Sequence, residues 1–267
     1  MFVGLTSFAQ AALEVHDNVA FPIVGLVAGL AIGLTGMGGG VLLTPIMVLL
    51  MGVPANAAVS NDLIISLVIK PIGAATHHKA GNVRRDIVKW LVIGSVPAAF
   101  AGALLMNLVL DDDADALETL IGVTLLTASV MMIVRMVRRP DGIVEEPPVR
   151  PLLTLCVGLV GGILVGLTSV GSGSLMLVLL TWVYPHLSGR TLVGTDLAQA
   201  IPLVGSAALG HLLFGDVRLE ILIPVILGAA PGVWLGSRWS TRLPDKALRP
   251  ILIVLVTLSG LKLTGIV

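Results

Sequence analysis

The chain has 267 residues, of which 56% are hydrophobic and 12% are charged, and its acidic and basic side chains are equal in number. A soluble globular domain carries about 25% charged residues, so this sequence cannot cover a water-facing surface. The balanced charge gives no reason to expect a nucleic-acid partner. The single cysteine, Cys156, excludes an internal disulfide and a cysteine-based zinc site, and we expect it to be a small buried side chain. The composition predicts an all-α integral membrane protein without a metal or cofactor.

A short polar N-terminal segment, residues 1–18, precedes the apolar part of the chain and lacks the basic start of a cleavable signal peptide. Most of the longer apolar stretches after it reach the roughly 20 residues that a helix needs to cross the hydrocarbon core. The apolar stretches fall at about 19–34, 41–51, 57–76, 90–110, 116–137, 152–167, 174–183, 192–214, 219–237 and 247–266.

Two pairs of these stretches are too short to be plain spans and are interrupted by glycine-rich runs. The first break, residues 35–40, reads TGMGGG, and the second break, residues 168–173, reads TSVGSG. Non-helical backbone at membrane depth is tolerated only inside protein or beside a water-filled cavity. We therefore predict that each broken pair is a hairpin that dips toward the middle of the bilayer and returns.

The two breaks belong to an internal repeat. The run GLVAGLAIGLTGMGGG begins at Gly25, and GLVGGILVGLTSVGSG begins at Gly158. Further residues match at a nearly constant offset, among them Asp62 with Asp196, His77 with His211, and Arg84 with Arg218. The predicted organisation is an N-terminal segment 1–18, a first membrane repeat 19–138, a charged and proline-rich linker 139–151, and a second membrane repeat 152–267.

The distribution of Lys and Arg distinguishes two orientations of the repeats. If each broken pair counts as one span, the repeats are parallel and five basic residues lie outside. If each pair returns to its starting side, the repeats are inverted and 13 of the 16 basic residues are cytoplasmic. We therefore predict two inverted repeats, each a broken helical hairpin followed by three transmembrane helices.

The breaks are candidate binding elements for a small oxyanion. Glycines let backbone N–H groups approach a ligand, and the helix that restarts after a break offers its positive dipole end. The alternative is close helix packing, which small residues also permit. The candidate substrate-binding residues in the breaks are Thr35, Gly38, Gly39, Gly40, Thr168, Ser169, Gly171, Ser172 and Gly173.

The apolar stretch after each break contains polar and charged side chains, which are costly in a membrane and are commonly functional. Asp62 and Lys70 lie on one helix face, and Asp196 and Gln199 form a similar stripe in the second repeat. Lys70 is either an anion contact or a partner for Asp62. The substrate-binding candidates here are Asn61, Lys70 and Gln199.

Four ionisable residues are candidates for proton coupling, and each has an alternative role. The two aspartates follow Ser-Asn and Thr, so they also resemble helix N-caps near the membrane surface. The two histidines lie near the ends of apolar stretches, where interfacial hydrogen bonding is the alternative to proton handling. The four candidates are Asp62, Asp196, His77 and His211.

The residues from Gly33 to Gly40, followed by Pro45 and by Gly52-Val53-Pro54, resemble the sulfite exporter TauE/SafE family of bacterial anion permeases. The second repeat, from Gly158 to Gly173, resembles the repeat of that family. The resemblance implies transport of sulfite, sulfoacetate or similar organosulfonates by a multi-pass protein of the bacterial inner membrane. The expected partners are then a small sulfur-containing anion and the lipid bilayer, and a homo-oligomer is left open.

These observations favour a secondary transporter, because the chain has no Walker-type Gly-Lys-Ser/Thr motif for nucleotide binding. Export by alternating access is the expected mode, with the anion held between the two breaks. One alternative is an anion channel of the same fold. A weaker alternative is an intramembrane serine hydrolase that uses Ser172 with His211.

Overall fold

The computed structural model describes residues 20–35, 39–77, 83–110, 113–137, 147–173, 175–239 and 245–266. Over these ranges the chain is almost entirely helical, and six helices are long and apolar enough to cross a membrane. Large apolar side chains such as Val27, Leu152 and Leu227 are exposed on the outside of the bundle, where lipid replaces water as the solvent. The prediction of an all-α, multi-pass membrane protein is confirmed.

The described part of the chain forms ten helices and two short helical turns. They are α1 (Ala20–Thr35), a 3₁₀ turn (Gly39–Val41), α2 (Leu43–Met51), α3 (Ala55–His77), α4 (Arg85–Leu105, continued by a π-helical turn Met106–Leu110), α5 (Ala114–Val137), α6 (Pro151–Thr168), α7 (Leu175–Val183), α8 (Gly189–Phe214), α9 (Leu219–Trp239) and α10 (Asp245–Leu263).

The second broken pair returns to the side on which it starts. Tyr184, just after α7, is buried, and its hydroxyl lies 2.6 Å from the Thr154 hydroxyl and accepts a hydrogen bond from the Arg150 N–H at 3.0 Å. Both partners belong to the beginning of α6, so the end of α7 lies beside the beginning of α6. Gly161 in α6 packs against the side chain of Met176 in α7, as an antiparallel pair requires. The predicted hairpin is therefore present in α6–α7.

Each first helix of a repeat packs in parallel against a helix of the other repeat. In the α4–α6 pair, a Cβ atom on Gly158 would lie 2.6 Å from the carbonyl oxygen of Leu91 and 3.1 Å from the N atom of Ser95. In the α1–α9 pair, a Cβ atom on Gly25 would overlap with Val225 and approach Ala229 in the same way.

Those two contacts are reciprocal, because Gly25 corresponds to Gly158 and the partners correspond at the repeat offset. The same reciprocity holds further along both helices. Gly33 meets Val233 and Ser237, whereas Gly166 meets their counterparts Ala99 and Ala103. Glycine is required at these positions because the partner's backbone occupies the space of a side chain.

Corresponding helices of the two repeats pack against each other in opposite directions. In the α3–α8 pair, Ser60 contacts His211 and Leu67 contacts Gly205, so the residue number rises in one helix as it falls in the other. In the α5–α10 pair, the hydroxyls of Ser129 and Thr257 lie 2.6 Å apart. Gly122, earlier in α5, meets Thr264, just after the end of α10. Both pairs are therefore antiparallel.

The expectation of a buried Cys156 is wrong. Cys156 is exposed on α6. In a membrane protein the lipid-facing surface is itself apolar, so an apolar sequence context does not indicate burial.

Candidate functional site

The two breaks meet inside the bundle. A Cβ atom on Gly40 would lie 2.8 Å from Ser169 Oγ and would overlap with the Ser169 backbone. Ser169 ends α6 in the left-handed conformation, with φ of 58°, and its N–H bonds to Val165 at 2.8 Å. Gly171 and Gly173 also have positive φ, at 120° and 111°, a region that side chains disfavour. The local sequence therefore stops the helix and turns the chain toward the first break.

Asp62 is completely buried beside this meeting point and accepts hydroxyl donors from three elements. Its Oδ2 atom accepts Thr44 Oγ1 of α2 at 2.9 Å and Ser169 Oγ of the second break at 2.5 Å. Its Oδ1 atom accepts Ser66 Oγ, one turn along α3, at 3.4 Å. We define these four residues as the Asp62 cluster. The cluster joins both broken pairs to α3.

Lys70 follows the Asp62 cluster on the same face of α3. Its side chain is buried, and Nζ donates a hydrogen bond of 2.6 Å to Ser172 Oγ in the second break. Asp196 and Asp62 both attract the ammonium group electrostatically. The sequence left open whether Lys70 serves Asp62 or faces a ligand-binding element. The structure places its ammonium on the second break, with both carboxylates in electrostatic range.

Asp196 and Gln199 form the corresponding polar group of α8. Gln199 Nε2 donates to Asp196 Oδ1 at 3.2 Å, and Gln199 Oε1 accepts Ser95 Oγ of α4 at 3.2 Å. All three side chains are buried. The amide of Gln199 therefore links the second aspartate to a helix of the first repeat.

The N-cap alternative for the aspartates is excluded by their positions. Asp62 lies about two turns inside α3, and Asp196 lies about two turns inside α8. The cap of α8 is Ser188, whose hydroxyl accepts the Thr191 N–H. Both aspartates are interior residues of buried helix faces.

The residues just before the aspartates connect the two repeats reciprocally. Asn61 Oδ1 accepts the Arg218 N–H at 3.3 Å, and Thr195 Oγ1 accepts the Arg84 N–H at 3.2 Å. Asn61 corresponds to Thr195 and Arg84 to Arg218 in the repeat alignment. Asn61 also donates to Ala57 at 2.8 Å, so its amide is held within the protein.

His211 is completely buried in the last turn of α8, so its ring is held by protein groups rather than by water. Its Nδ1 atom lies 2.9 Å from Ser60 Oγ, and its Nε2 atom lies 2.8 Å from the Gly166 carbonyl oxygen. Because both ring nitrogens are engaged there, His211 is not positioned as the base for Ser172. The hydroxyl of Ser172 contacts Lys70 instead.

The other predicted residues are less central in the structure. The Thr35 hydroxyl donates to Ala31 at 2.7 Å, and the Thr168 hydroxyl donates to Leu164 at 2.7 Å, so each bonds to its own helix. Gly39 lies in the 3₁₀ turn. Gly38 lies outside the described residues, as does the side chain of His77, the last residue of α3.

Sequence reasoning missed Thr44 and Ser95 as members of the buried polar centre. Thr44 is the one polar side chain in the apolar helix after the first break, and that isolation was a usable signal. Ser95 follows Gly94 in a run of small residues, where it reads as a packing position. Its partner Gln199 is 104 residues away, beyond any local pattern.

Apolar spans around a buried centre of two carboxylates and one ammonium define an integral membrane protein that handles a polar solute. The chain belongs to the sulfite exporter TauE/SafE family, whose model matches residues 21–263. The resemblance in the sequence is thereby confirmed.

Several curated bacterial proteins are similar to the chain over most of its length. "Probable membrane transporter protein YjnA" of Bacillus subtilis is 33% identical over 92% of this chain and 99% of its own length. "Probable membrane transporter protein YdhB" of the same organism is 24% identical over 90% and 98%. A "Probable membrane transporter protein" of Haemophilus influenzae is 29% identical over 72% and 69%. No solved structure matches the chain significantly. The protein is a membrane transporter.

Proposed function

We propose that the protein is a secondary transporter that exports a small sulfur oxyanion or organosulfonate, such as sulfite or sulfoacetate, across the bacterial inner membrane. The observation that carries the proposal is the buried contact of Lys70 with Ser172, next to the point where the two breaks meet. An ammonium group, a hydroxyl and the start of α7 together offer charge and hydrogen-bond donors to a sulfo group. The family name supports the substrate class.

The proposal includes inverted repeats. In inverted repeats the two-fold axis lies in the membrane plane, and corresponding helices run in opposite directions. The antiparallel packing of α3 with α8 and of α5 with α10 supports this arrangement. The return of α7 to the beginning of α6 supports it as well.

On this proposal, alternating access is a movement of two rigid groups of helices, called bodies, and each body contains helices from both repeats. Body A is α1, α2, α3 and α9, and body B is α6, α7, α8 and α4. The backbone-to-backbone glycine contacts join α9 to α1 and α4 to α6, so these pairs resist separation. The interface between the bodies includes α3 against α8 and one break against the other, where the buried polar centre lies.

Spin-label distances distinguish body movement from repeat movement. The labels are placed at exposed positions, Val27 in α1, Leu227 in α9, Ile93 in α4 and Val160 in α6. Within a body, we expect the label distances Val27–Leu227 and Ile93–Val160 to stay fixed when sulfoacetate is added. Between the bodies, the label distance Val27–Ile93 is expected to change. Val27 and Ile93 belong to the first repeat, whereas Leu227 belongs to the second. A fixed Val27–Ile93 distance with a changing Val27–Leu227 distance would therefore show that the repeats move as units.

The membrane potential supports export as the direction. An inside-negative potential favours exit of an anion by about 2.3 kcal/mol per charge per 100 mV. A concentration gradient of a sulfonate released inside the cell acts in the same direction.

Flux into liposomes tests the proposed function. The purified protein is reconstituted and offered radiolabelled sulfite, thiosulfate and sulfoacetate. We expect saturable, trans-stimulated flux of at least one of them, and flux at the background of protein-free liposomes for all three would reject the proposal. Flux without saturation or counterflow would assign the protein as a channel instead of a carrier.

A further inference from the structure

The three hydroxyls of the Asp62 cluster form an oxyanion-binding arrangement, and the Asp62 carboxylate already occupies it. The hydroxyls of Thr44, Ser169 and Ser66 all donate to Asp62, and they come from α2, the second break and α3. A carboxylate and a sulfo group both present acceptor oxygens to such donors. Two of these donors belong to broken pairs, which are the segments that bind the substrate on the proposed function.

The charge of the buried centre disfavours a further anion. In their ionised forms Asp62 and Asp196 bring two negative charges to the centre, and Lys70 brings one positive charge. His211, the other titratable side chain that α8 brings near, contacts Ser60 and the Gly166 carbonyl oxygen rather than a carboxylate. An entering anion therefore adds negative charge to a site that already has an excess of it, and uncompensated buried charge is costly.

One proton on Asp62 removes both obstacles. It neutralises a carboxylate of the centre, and it converts a pure acceptor into a carboxylic acid that itself donates. The neutral carboxyl is a weaker acceptor than the carboxylate, so it holds the hydroxyls of Thr44 and Ser169 less strongly and they can turn to another oxyanion. At Asp196 a donor is the amide of Gln199, which lies on the same helix and belongs to neither break.

We infer that Asp62 is a tethered competitor of the transported anion and that its protonation couples one proton to each anion. A proton from water on the open side forms the O–H bond at Asp62, and the anion takes over the hydroxyls of Thr44 and Ser169. After the centre opens to the other side, the anion leaves, the proton returns to water there, and the carboxylate takes back its donors. The inference rests on the proposed function and adds the coupling ion and its residue.

Export remains compatible with this coupling. Sulfoacetate carries two negative charges at neutral pH, so its transport with one proton still moves one net negative charge. The inside-negative potential therefore still favours its exit.

The test measures anion and proton movement in the same liposomes. Wild-type protein is reconstituted with pyranine inside as the pH indicator, and an outside pulse of sulfoacetate is applied. We expect the lumen to acidify by one proton per sulfoacetate taken up, and the affinity for sulfoacetate to rise up to tenfold for each unit of pH decrease. Sulfoacetate flux without lumenal acidification would overturn the inference and leave the proposed function intact. No flux of any tested anion would reject the proposed function itself.

Two variants assign the proton. Asp62→Asn keeps the size of the side chain but cannot ionise, so we expect it to exchange sulfoacetate across the membrane without moving protons and without a pH-dependent affinity. Asp196→Asn is expected to keep one proton per sulfoacetate even if its rate falls. Loss of proton movement in Asp196→Asn but not in Asp62→Asn would overturn the assignment. If Asp62→Asn does not fold, the pH dependence of sulfoacetate binding to Ser169→Ala decides, and it is expected to be weaker than in the wild type.

Discussion

The two breaks lie in matching frameworks but carry different chemistry. The helices before them, α1 and α6, make reciprocal glycine contacts with α9 and α4. Within the breaks, however, the second has Ser169 and Ser172, whereas the first has Gly36 and Gly39 at those places. The serines bond to Asp62 and Lys70. The backbone packing is therefore common to the two repeats, whereas the two serines of the second break have no hydroxyl counterparts in the first.

The largest expected effect tests the symmetric framework. A Cβ atom on Gly162 would lie 2.5 Å from the Ser95 carbonyl oxygen, and one on its counterpart Gly29 would overlap with Ala229 in the same way. Backbone cannot rotate away as a side chain can, so we expect Gly162→Ala and Gly29→Ala each to lower the free energy of unfolding by about 3 kcal/mol or to prevent folding. Thermal unfolding of the detergent-purified protein measures this.

Gly205→Ala is the matched control for the glycine variants. Gly205 also lies inside a helix, but the nearest atom to its Cβ would be Leu67 Cδ1 at 3.7 Å, an ordinary contact. We expect unchanged or slightly higher stability, because alanine favours a helix over glycine by about 1 kcal/mol. If the Gly29→Ala variant were as stable as this control, the α1–α9 and α4–α6 interfaces would not be equivalent.

The next effect concerns the chemistry that the two repeats do not share. Lys70 has Val204 as its counterpart, so one repeat alone supplies the ammonium group. We expect Lys70→Met to reduce sulfoacetate flux at least tenfold, since a hydrogen bond to a charged group contributes about 1.5–3 kcal/mol. Lys262→Met, at an exposed site near the end of α10, is the control and should transport normally. Equal sulfoacetate flux in the two variants would show that Lys70 does not take part in substrate binding.

A smaller effect separates backbone strain from hydroxyl chemistry in the second break. Ser169→Gly and Ser169→Ala both lose the hydrogen bond to Asp62, but only glycine relieves the positive φ of 58°. We expect the glycine variant to be more stable than the alanine variant by about 1 kcal/mol. Both should bind sulfoacetate more weakly than the wild type. Identical unfolding temperatures for the two variants would show that the backbone at Ser169 is not strained.

The smallest effect lies at the antiparallel α5–α10 contact. The hydroxyls of Ser129 and Thr257 are 2.6 Å apart, and hydrogen bonds between membrane helices contribute about 0.6 kcal/mol. A double-mutant cycle with Ser129→Ala and Thr257→Val measures the coupling energy between them. We expect a value near 0.6 kcal/mol and unchanged flux. A coupling energy above about 2 kcal/mol would mark this contact as a major link between the repeats.

The sequence predicts the parts of the fold that depend on local pattern. Hydropathy indicates the spans, and glycine-rich runs indicate the breaks, because each reflects the preference of neighbouring residues. The helical spacing of Asp62 and Lys70 correctly puts them on one face. The repeat offset correctly pairs Arg84 with Arg218, which make equivalent contacts with Thr195 and Asn61.

The contacts that build the site are not local and could not be predicted in the same way. Ser169 is 107 residues from Asp62, and periodicity shows which face Asp62 occupies but not which element covers that face. The sequence also does not distinguish a hydroxyl that faces a ligand from one that bonds to its own helix. Without water, a threonine inside an apolar helix commonly bonds to the carbonyl one turn earlier, as Thr35 and Thr168 do.

The reciprocal glycine contacts have a consequence for how the chain is assembled. When residue i meets residue j, and the counterpart of i meets the counterpart of j, the interface has the form of an isologous dimer. The described glycine contacts of α1 with α9 and of α4 with α6 join helices of the two repeats directly. Two separately expressed fragments, cut within the linker, are therefore expected to find each other in the membrane and restore the transporter. The single polypeptide holds its halves as a dimer of two chains would.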